Sequence, residues 1–339
     1  MEQATFGGAM NKTMFLVSLM LAATFSILWG QSINYEPFTH TFSIVAIDEQ
    51  NGEMGVAVQS HWFSVGSIVA WAQPGVGVVA TQSLVNVSFD PRGLELLKAG
   101  KTPREALDEL LGKDEGADFR QLALLDVKGR VATHTGKKCI AEAGHIIGDG
   151  FSVQANMMLN DKVVPAMAEA FKNSSRPLAE RLVAALKAAQ AAGGDIRGQQ
   201  SAAIKIVKIK SSGKPWQDVI MDLRVEDHPQ AVAEIERLVK VFRAYEHMNK
   251  GDLAIEKGDV QGALREYGTA EKMFPDNEEM KYWHAVSLAN VGGIKASLPL
   301  FKEVFEKEPN YLELTKRIVK NGLLRVNQQQ LDQIINNTR

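Results

Sequence analysis

The alternation of apolar and polar positions predicts β-strands over much of the first part of the chain. Residues 41–47 form a run rich in β-branched side chains, Asn51 and Gly52 supply a hairpin turn, and residues 54–60 return with the same character. Strands joined by tight turns are typical of antiparallel sheets. The same pattern predicts further strands at residues 67–72, 75–81, 122–127, 130–134, 201–209 and 219–225.

Segments with helical periodicity alternate with these strands. A leucine-rich apolar patch follows Pro91, and Pro103 opens a second helix at a position where its missing N–H breaks no hydrogen bond. Two longer helices are predicted at residues 163–171 and 177–192. Because hairpins outnumber crossovers, the order favours an α+β fold, with helices covering antiparallel sheets, over a doubly wound parallel sheet.

The chain is helical throughout after Pro229, beginning with an apolar stripe over residues 229–243 that predicts a helix bridging two domains. An internal repeat of about 34 residues follows over residues 244–310, and this period is the one of the tetratricopeptide repeat. Positions one period apart share their residue character: Gly251 with Ala285, Gly258 with Gly292, Tyr267 with Phe301, Ala270 with Val304, and Pro275 with Pro309.

This pattern resembles two tetratricopeptide repeats, which predicts a C-terminal all-α domain. Two repeats alone leave apolar surface open, so residues 311–339 are expected to supply a capping helix and a tail. Such repeats commonly bind a peptide or another protein in their concave groove. A passive lid on the first domain, or a homodimer surface, is the alternative interpretation.

The start of the chain has the pattern of an export signal. An apolar stretch of about 15 residues, 14–28, follows Lys12 and precedes the small residues Gly30 and Ser32. A membrane-spanning helix needs roughly 20 apolar residues. The pattern therefore predicts a signal peptide over residues 1–32 and a secreted or periplasmic protein. Membrane attachment is expected only if this leader stays uncleaved.

Composition narrows the chemistry. The net charge is −2, and 45% of the 339 residues are hydrophobic, so the chain does not have the basic character of a nucleic-acid-binding protein. The seven histidines have no metal-ligand spacing, and Cys139 is the only cysteine. We expect no metal and no cofactor. Cys139 lies beside Lys137 and Lys138, and we interpret it as structural and not as a nucleophile.

Small polar residues concentrate where the predicted strands of the first domain end. Ends of strands are common positions for sites because the sheet holds them rigidly. Each residue alone is also consistent with a role in a turn or at a sheet edge. The segments are residues 41–43, 59–61, 81–83, 134–136, 150–156 and 194–201.

Seven stretches of the first domain carry a resemblance to one family: TFSIVA (41–46), GVAVQSHWFSVG (55–66), ATQ (80–82), PRGL (91–94), HTG (134–136), FSVQANM (151–157) and GGDIRG (193–198). With them, residues 39–228 resemble the domain of unknown function 1028, which is grouped with the N-terminal-nucleophile (Ntn) hydrolases. The resemblance implies a four-layer αββα sandwich and supplies no substrate. Ala155 departs from the pattern, in which Gly more often precedes the Asn.

The resemblance also implies a chemistry. In Ntn hydrolases the free α-amine of the nucleophilic residue acts as its base, and an amine with a pKa near 8 is suited to that role near neutral pH. Thr41 is then the leading candidate, ahead of Ser43 and Thr39, with Gln82 and Asn156 as expected oxyanion donors. The residues expected to contact or orient the substrate are His61, His134, Asp195 and Arg197.

A free amine on Thr41 requires more than export. Cleavage of a leader near Gly30 or Ser32 leaves roughly ten residues ahead of Thr41, so a second cleavage, most simply by the chain itself, is needed. Two hypotheses follow. The first is an exported hydrolase of amide bonds, with the repeats as an interaction module. The second is an exported ligand-binding or scaffold protein that keeps the fold without catalysis.

Overall fold

The computed structural model describes residues 38–336, and the predicted signal peptide lies outside the described residues. Every strand pairing that it records is antiparallel. The strands are β1 (Phe38–Thr39), β2 (Thr41–Asp48), β3 (Glu53–Ser60), β4 (Ala70–Gln73), β5 (Gly77–Leu84), β6 (Arg120–Asp126), β7 (Val131–Thr135), β8 (Gly144–Gly148), β9 (Phe151–Ala155), β10 (Ser201–Lys208) and β11 (Val219–Val225).

These strands form two sheets. Sheet A has the order β1–β5–β6–β7, and β4 also pairs with β5. Sheet B has the order β11–β10–β3–β2–β9–β8, which puts β2 near its middle. The antiparallel arrangement predicted from the hairpins is confirmed.

The alternation of side chains along β2 explains how the sheets pack. Val45 and Ile47 face sheet A, where they join a buried cluster with Val78 and Leu125. The alternate residues of β2, Ile44 and Ala46, face the other way and pack against helices. Because side chains alternate along a strand, a strand buried on both faces is apolar at nearly every position, as β2 is between Ile44 and Ile47.

Helices cover the outer faces of both sheets. The two helices between β5 and β6 pack on sheet A, and the two between β9 and β10 pack on sheet B. The helices are α1 (Phe89–Lys98), α2 (Pro103–Gly112), α3 (Val163–Lys172), α4 (Leu178–Ala191), α5 (Pro215–Asp218), α6 (Ala231–Glu256), α7 (Val260–Met273), α8 (Glu278–Asn290), α9 (Ile294–Lys307), α10 (Asn310–Lys320) and α11 (Gln328–Asn336).

Helix α2 illustrates why a helix begins where it does. The Thr102 hydroxyl accepts from the backbone N–H of Glu105, and the Glu105 carboxylate accepts from the backbone N–H of Thr102. This reciprocal capping box, with Pro103 in the first turn, satisfies N–H groups that a helix start otherwise leaves unpaired.

Helix α6 connects the sheets to the C-terminal helical region. Its first half packs Val232, Ile235 and Val239 against sheet B and its helices, and its second half packs Ala244 and Met248 against the helices that follow. The predicted boundary between residues 243 and 244 falls inside this helix. Among the described residues, no helix is long and apolar enough to cross a membrane.

The two helix pairs after residue 243 place equivalent residues in equivalent positions. Tyr267 and Phe301 are both buried, and Gly258 and Gly292 both adopt positive φ angles, 75° and 85°, between consecutive helices. Past the predicted capping helix, which is α10, the chain forms α11, which the sequence analysis missed. Ile334 of α11 lies in the same core cluster as Phe301.

Some sequence expectations differ from the structure. The strand expected at residues 67–72 is shorter, because Ser64 adopts a left-handed conformation with φ 59° and starts a 3₁₀ turn over Val65–Ser67, so that β4 begins only at Ala70. Strands β1, β8 and β9 were not predicted, since two of them are rich in glycine or polar residues and β1 has only two residues.

Candidate active site

A connected set of buried polar side chains crosses the interior between the two sheets at one end of β2. We call it the inter-sheet network. Successive side chains in it are joined by hydrogen bonds of 2.6–2.9 Å. In order of contact, the members are Thr133, Ser152, Gln154, Ser43, Gln82, Gln121, Asn156 and His40.

The network arises from the same alternation that builds the apolar core. Ser43 faces sheet A as Val45 and Ile47 do, and Gln82 faces sheet B as Val78 and Ala80 do. The inter-sheet space is thus apolar at one end of these strands and polar at the other. Buried amides and hydroxyls are costly unless paired, and here the pairing is nearly complete, so the network fixes the position of each member.

Gln121 is the central member. Its Oε1 accepts from Gln82 Nε2 at 2.6 Å and from Asn156 Nδ2 at 2.9 Å. Its Nε2 lies 2.9 Å from both Thr135 Oγ1 and the backbone oxygen of Ala155. The amide nitrogens of Gln82 and Asn156, predicted as oxyanion donors, are therefore directed at Gln121. Gln82 Nε2 is also 3.3 Å from the carbonyl oxygen of Thr41.

Thr41 is fully buried at the start of β2. Its hydroxyl donates to the carbonyl oxygen of Thr39 at 2.8 Å, and its own carbonyl accepts from the backbone N–H of Asn156 at 3.1 Å. The chain continues ahead of it through His40 into β1, which pairs with β5. The nitrogen of Thr41 therefore belongs to a peptide bond in this structure.

The carbonyl group of the His40–Thr41 peptide bond receives two side-chain donors. Ser60 Oγ donates to the His40 oxygen at 2.6 Å, and Arg197 Nη2 donates to it at 2.9 Å. One donor is neutral and the other carries a full charge, so both withdraw electron density from this carbonyl. The same two donors would stabilise negative charge developing on that oxygen.

Asp195 holds Arg197 in place. The Asp195 side chain is fully buried, and its carboxylate accepts from Arg197 Nε at 3.0 Å and from Arg197 Nη2 at 2.7 Å. It also accepts from the backbone N–H of His61 at 3.3 Å. A bidentate pair of this kind fixes the guanidinium plane.

The His40 ring is buried against Asn156, with Nδ1 2.7 Å from Asn156 Oδ1. Burial lowers the pKa of His40 below its ordinary value, and Arg197 adds to that effect, while the hydrogen bond to Asn156 and the charge of Asp195 oppose it. The ring is therefore neutral at pH 7. Asn156 Nδ2 donates to Gln121, which leaves Oδ1 as the acceptor and places the His40 proton on Nδ1.

Two residues next to the network have strained backbones. Ser83 has a φ of 76° and Met157 a φ of 61°. They directly follow Gln82 and Asn156. Non-glycine residues in this region cost about 1–3 kcal/mol and occur preferentially at functional sites, where the surroundings hold them.

Most of the predicted site residues lie together. Thr41, Ser43, Gln82 and Asn156 surround the start of β2, and Asp195 and Arg197 reach the peptide bond just before it. His61 is at the margin, where its backbone contacts Asp195 and its Nδ1 has no hydrogen-bond partner among the described residues.

His134 and Cys139 do not join the group. His134 lies opposite Leu122, which is on the outer face of sheet A, and its Nε2 is 2.9 Å from the Ala117 oxygen. The Cys139 thiol donates to the Arg120 oxygen at 3.4 Å, and burial raises the pKa of this thiol, which keeps it protonated. Within residues 38–336, no cluster of residues is suited to hold a metal ion.

The sequence analysis did not select four residues that matter here: His40, Ser60, Gln121 and Gln154. Ser60 and Gln154 were noted only as parts of polar segments. Gln121 lies two residues before Ala123 on β6, and Gln154 lies two residues after Ser152 on β9. Both are therefore at inward-facing positions of their strands. A glutamine at an inward-facing strand position is a signal that could have identified both.

The fold and the site together define a domain of two face-to-face antiparallel sheets, covered by helices, with a buried polar site at the start of a central strand. The chain matches the family of unknown function DUF1028 over residues 41–235, and it belongs to that family. The crystal structure of protein SPO2555 from Silicibacter pomeroyi, described with the same family, is similar: it is 30% identical with a TM-score of 0.54, and the match covers 59% of this chain and 85% of that chain. No curated protein matches the chain.

Proposed function

We propose that this protein is a hydrolase of amide bonds that uses Thr41 as an N-terminal nucleophile and generates it by cleaving its own His40–Thr41 bond. The observation that carries the proposal is the pair of donors, Ser60 and Arg197, on the carbonyl oxygen of His40. A backbone carbonyl that accepts from a hydroxyl and a guanidinium, and that directly precedes a threonine, is polarised for attack at its carbon.

The cleavage step is an acyl shift followed by hydrolysis. Thr41 Oγ1 loses its proton and bonds to the carbonyl carbon of His40, and the negative charge on the His40 oxygen is stabilised by Ser60 and Arg197. The C–N bond then breaks and the Thr41 nitrogen takes up the proton that Oγ1 released, which leaves an ester and a free amine. Water hydrolyses the ester, releasing a carboxylate on His40 and restoring the Thr41 hydroxyl.

The cleaved chain has the groups that amide hydrolysis requires. The α-amine of Thr41, with an ordinary pKa near 8, takes the proton of its own hydroxyl. The departing carbonyl of His40 leaves Ser60 and Arg197 without their acceptor, so these two donors serve the carbonyl oxygen of an incoming substrate. The inter-sheet network holds Thr41 through Gln82 and the backbone of Asn156.

We further propose that two other features of the sequence, the apolar stretch near its start and the repeats near its end, belong to this function. The apolar stretch over residues 14–28 exports the protein to a secreted or periplasmic location. The helix pairs after residue 243 are two tetratricopeptide repeats that bind a peptide or protein partner. A cavity of about 300 Å³ beside Tyr267 and Trp283 is a candidate position for a partner side chain.

A second candidate function is a binding or scaffold protein without catalysis. It is favoured by one observation: Thr39 and His40 are buried against the site, and Thr41 has no free amine while they precede it. Under this hypothesis the His40–Thr41 bond stays intact, and the domain keeps a ligand-holding role.

Intact-mass measurement and N-terminal sequencing of the purified full chain, followed over time, separate the two. Self-cleavage predicts a product that begins at Thr41, no such product from Thr41→Ala, and a slower but detectable product from Thr41→Ser. Thr269→Ala is the control, because Thr269 is an exposed threonine of α7 outside the site, and this variant should still cleave. A wild-type chain that stays uncleaved over days would contradict self-cleavage and favour the scaffold hypothesis.

A further inference from the structure

We infer that residues 38–40 occupy a groove that takes an extended peptide, so that the chain's own segment before Thr41 lies in the place of substrate. This inference rests on the proposed function and adds its substrate class. We call the site the acyl-side groove and define it by the edge of β5 at Ser83 and Leu84, together with Ser60, Asn156 and Arg197.

The first observation is the pairing of β1. Its two residues add to the edge of β5 as an antiparallel strand, with Phe38 opposite Leu84 and Thr39 opposite Ser83. A two-residue strand contributes little to a sheet, and its removal exposes backbone groups of β5 that can pair with another extended segment. Strand addition to an open sheet edge is a common way of binding peptides without regard to most side chains.

The second observation is where the pairing leads. Directly after β1, the His40 carbonyl meets Ser60 and Arg197, and the next residue is Thr41. A peptide that pairs with β5 as β1 does would therefore bring the carbonyl of its third residue to the same two donors and next to the same hydroxyl. The groove and the nucleophile are aligned.

The third observation is that β1 fits the groove incompletely. Thr39 Oγ1 is fully buried and has no hydrogen-bond partner among residues 38–336. Ser83 Oγ, opposite it and near the Cys139 thiol, also lacks a partner of good geometry within that range. Buried hydroxyls are nearly always paired, so the fit leaves one hydroxyl of the occupant and one of the groove, that of Ser83, unused.

The surroundings of these side chains define the ligand. The position of His40 accepts a neutral side chain with a hydrogen-bond donor, because Asn156 Oδ1 is available there as an acceptor and is fixed by Gln121. The position of Thr39 is fully enclosed and accepts a small side chain. The substrate class is thus a peptide in extended conformation, with a small residue followed by a neutral donor residue, cleaved after the latter.

The test uses the full chain and the probe acetyl-Phe-Thr-His-amide, with acetyl-Phe-Thr-Glu-amide and acetyl-Phe-Trp-His-amide as matched controls. Calorimetry measures the binding of each peptide to three proteins. They are Thr41→Ala, Thr41→Ala combined with Thr39→Pro, and wild type after any cleavage. Proline at position 39 removes a backbone N–H and disfavours β1. If circular dichroism shows that the variant with Thr39→Pro does not fold, Phe38→Pro is used in its place.

The β1-disrupted variant is Thr41→Ala with the proline in β1. We expect the probe to bind this variant at least tenfold more tightly than it binds Thr41→Ala alone. We expect both control peptides to bind the β1-disrupted variant at least tenfold more weakly than the probe does. A folded β1-disrupted variant that does not distinguish the three peptides overturns the inference, whether or not wild type cleaves itself. Conversely, a wild type that never cleaves, together with selective probe binding by the β1-disrupted variant, overturns the proposed hydrolase and leaves the groove in place.

Discussion

The guanidinium of Arg197 donates to the carbonyl oxygen of His40 at 2.9 Å, although 157 positions separate the two residues. The loop that carries Arg197 is shaped by glycines: Gly194 and Gly198 have φ angles of 63° and 101°, which other residues adopt only with strain. The loop turns back between them, so that Arg197 reaches the bond before Thr41 while it stays paired with Asp195.

Arg197 is therefore expected to control the rate of cleavage at His40–Thr41. Loss of one donor to a developing oxyanion typically slows a reaction by about 10²–10³-fold. We expect Arg197→Ala to slow cleavage by about 100-fold and Arg197→Lys, which keeps the charge but not the two-pronged geometry, to slow it by about tenfold. The rate is measured by intact mass after synthesis of the full chain.

The control for this prediction is Arg224→Ala. Arg224 is a more exposed arginine of the same domain, paired with Asp222, and its loss should leave the cleavage rate within twofold of wild type. Thermal unfolding of each variant shows whether the buried Asp195 tolerates the change. A folded Arg197→Ala chain that cleaves at the wild-type rate would show that this donor does not act on the reaction.

The sequence identified the fold better than the site, for a physical reason. The hairpins and helices depend on local patterns: the β-branched run of β2, the turn at Gly52, and the capping box at Thr102 with Glu105. Positions of the main strands and helices could be read from these patterns. Strand β1 has no such pattern, since it exists only because the edge of β5 is open to it.

The site depends on contacts between residues far apart in sequence. Thr41 and Asn156 were selected by resemblance, but the hydrogen bonds that give Gln121 its central position join three strands and have no local signature. His134 was selected with them because it ends a strand. Its placement on the outer face follows from the register of β7 with β6, which the sequence pattern of one strand does not specify.

A second prediction concerns His40 and pH, measured in the Thr41→Ala background so that His40 stays attached. The pKa of His40 is lowered on folding, mainly by burial. Below the ordinary value of 6.5 the unfolded chain binds a proton that the folded chain does not, so stability falls as the pH decreases. We expect His40→Gln to reduce this fall between pH 7 and pH 5, measured by urea unfolding at each pH.

The comparison variant for His40→Gln is Thr269→Ala, at an exposed residue of α7 that carries no titratable group. That variant should keep the dependence on pH of its Thr41→Ala parent. His145 and His284 also have pKa values lowered by desolvation, so the curve of the Thr41→Ala parent is the sum of several groups and only the difference between variants reports on His40. Equal slopes for His40→Gln and its Thr41→Ala parent would contradict the prediction.

A third prediction concerns Asp90 in the first turn of α1. Its carboxyl is fully buried and both oxygens lack a well-formed hydrogen bond within the described part of the chain. Burial raises its pKa well above 3.8, and the nearby backbone N–H groups of Asp90 and Thr81 only partly oppose this. As the pH rises above 3.8, the unfolded chain releases a proton that the folded chain retains, so the folded state loses stability.

Asp90→Asn removes this titration while keeping the shape of the side chain. We expect the variant to be more stable than the unsubstituted chain at pH 8, by at least about 1 kcal/mol, and to approach it near pH 4. Asp108→Asn, at an exposed position of α2, serves as the control and should change little at either pH. Thermal and urea unfolding at the two pH values provide the measurement, and a variant less stable at pH 8 would disprove the proposed cost of burial.

A fourth prediction concerns the contact of α6 with α7 at Gly251. A β-carbon at this position would lie 2.5 Å from the ring of Tyr267, which is buried and bonded through its hydroxyl to Asp252 and therefore has little room to move. Although alanine favours a helix by about 1 kcal/mol over glycine, overpacking costs about 1–3 kcal/mol, so we expect Gly251→Ala to destabilise the helical region. Gly112→Ala, at the end of α2 with no atom within 4 Å of the added carbon, should be neutral or stabilising. Calorimetric unfolding of the two variants tests this prediction. A gain in stability for both would contradict it, because the helices would then separate to accept the methyl group and close approach at Gly251 would not be required.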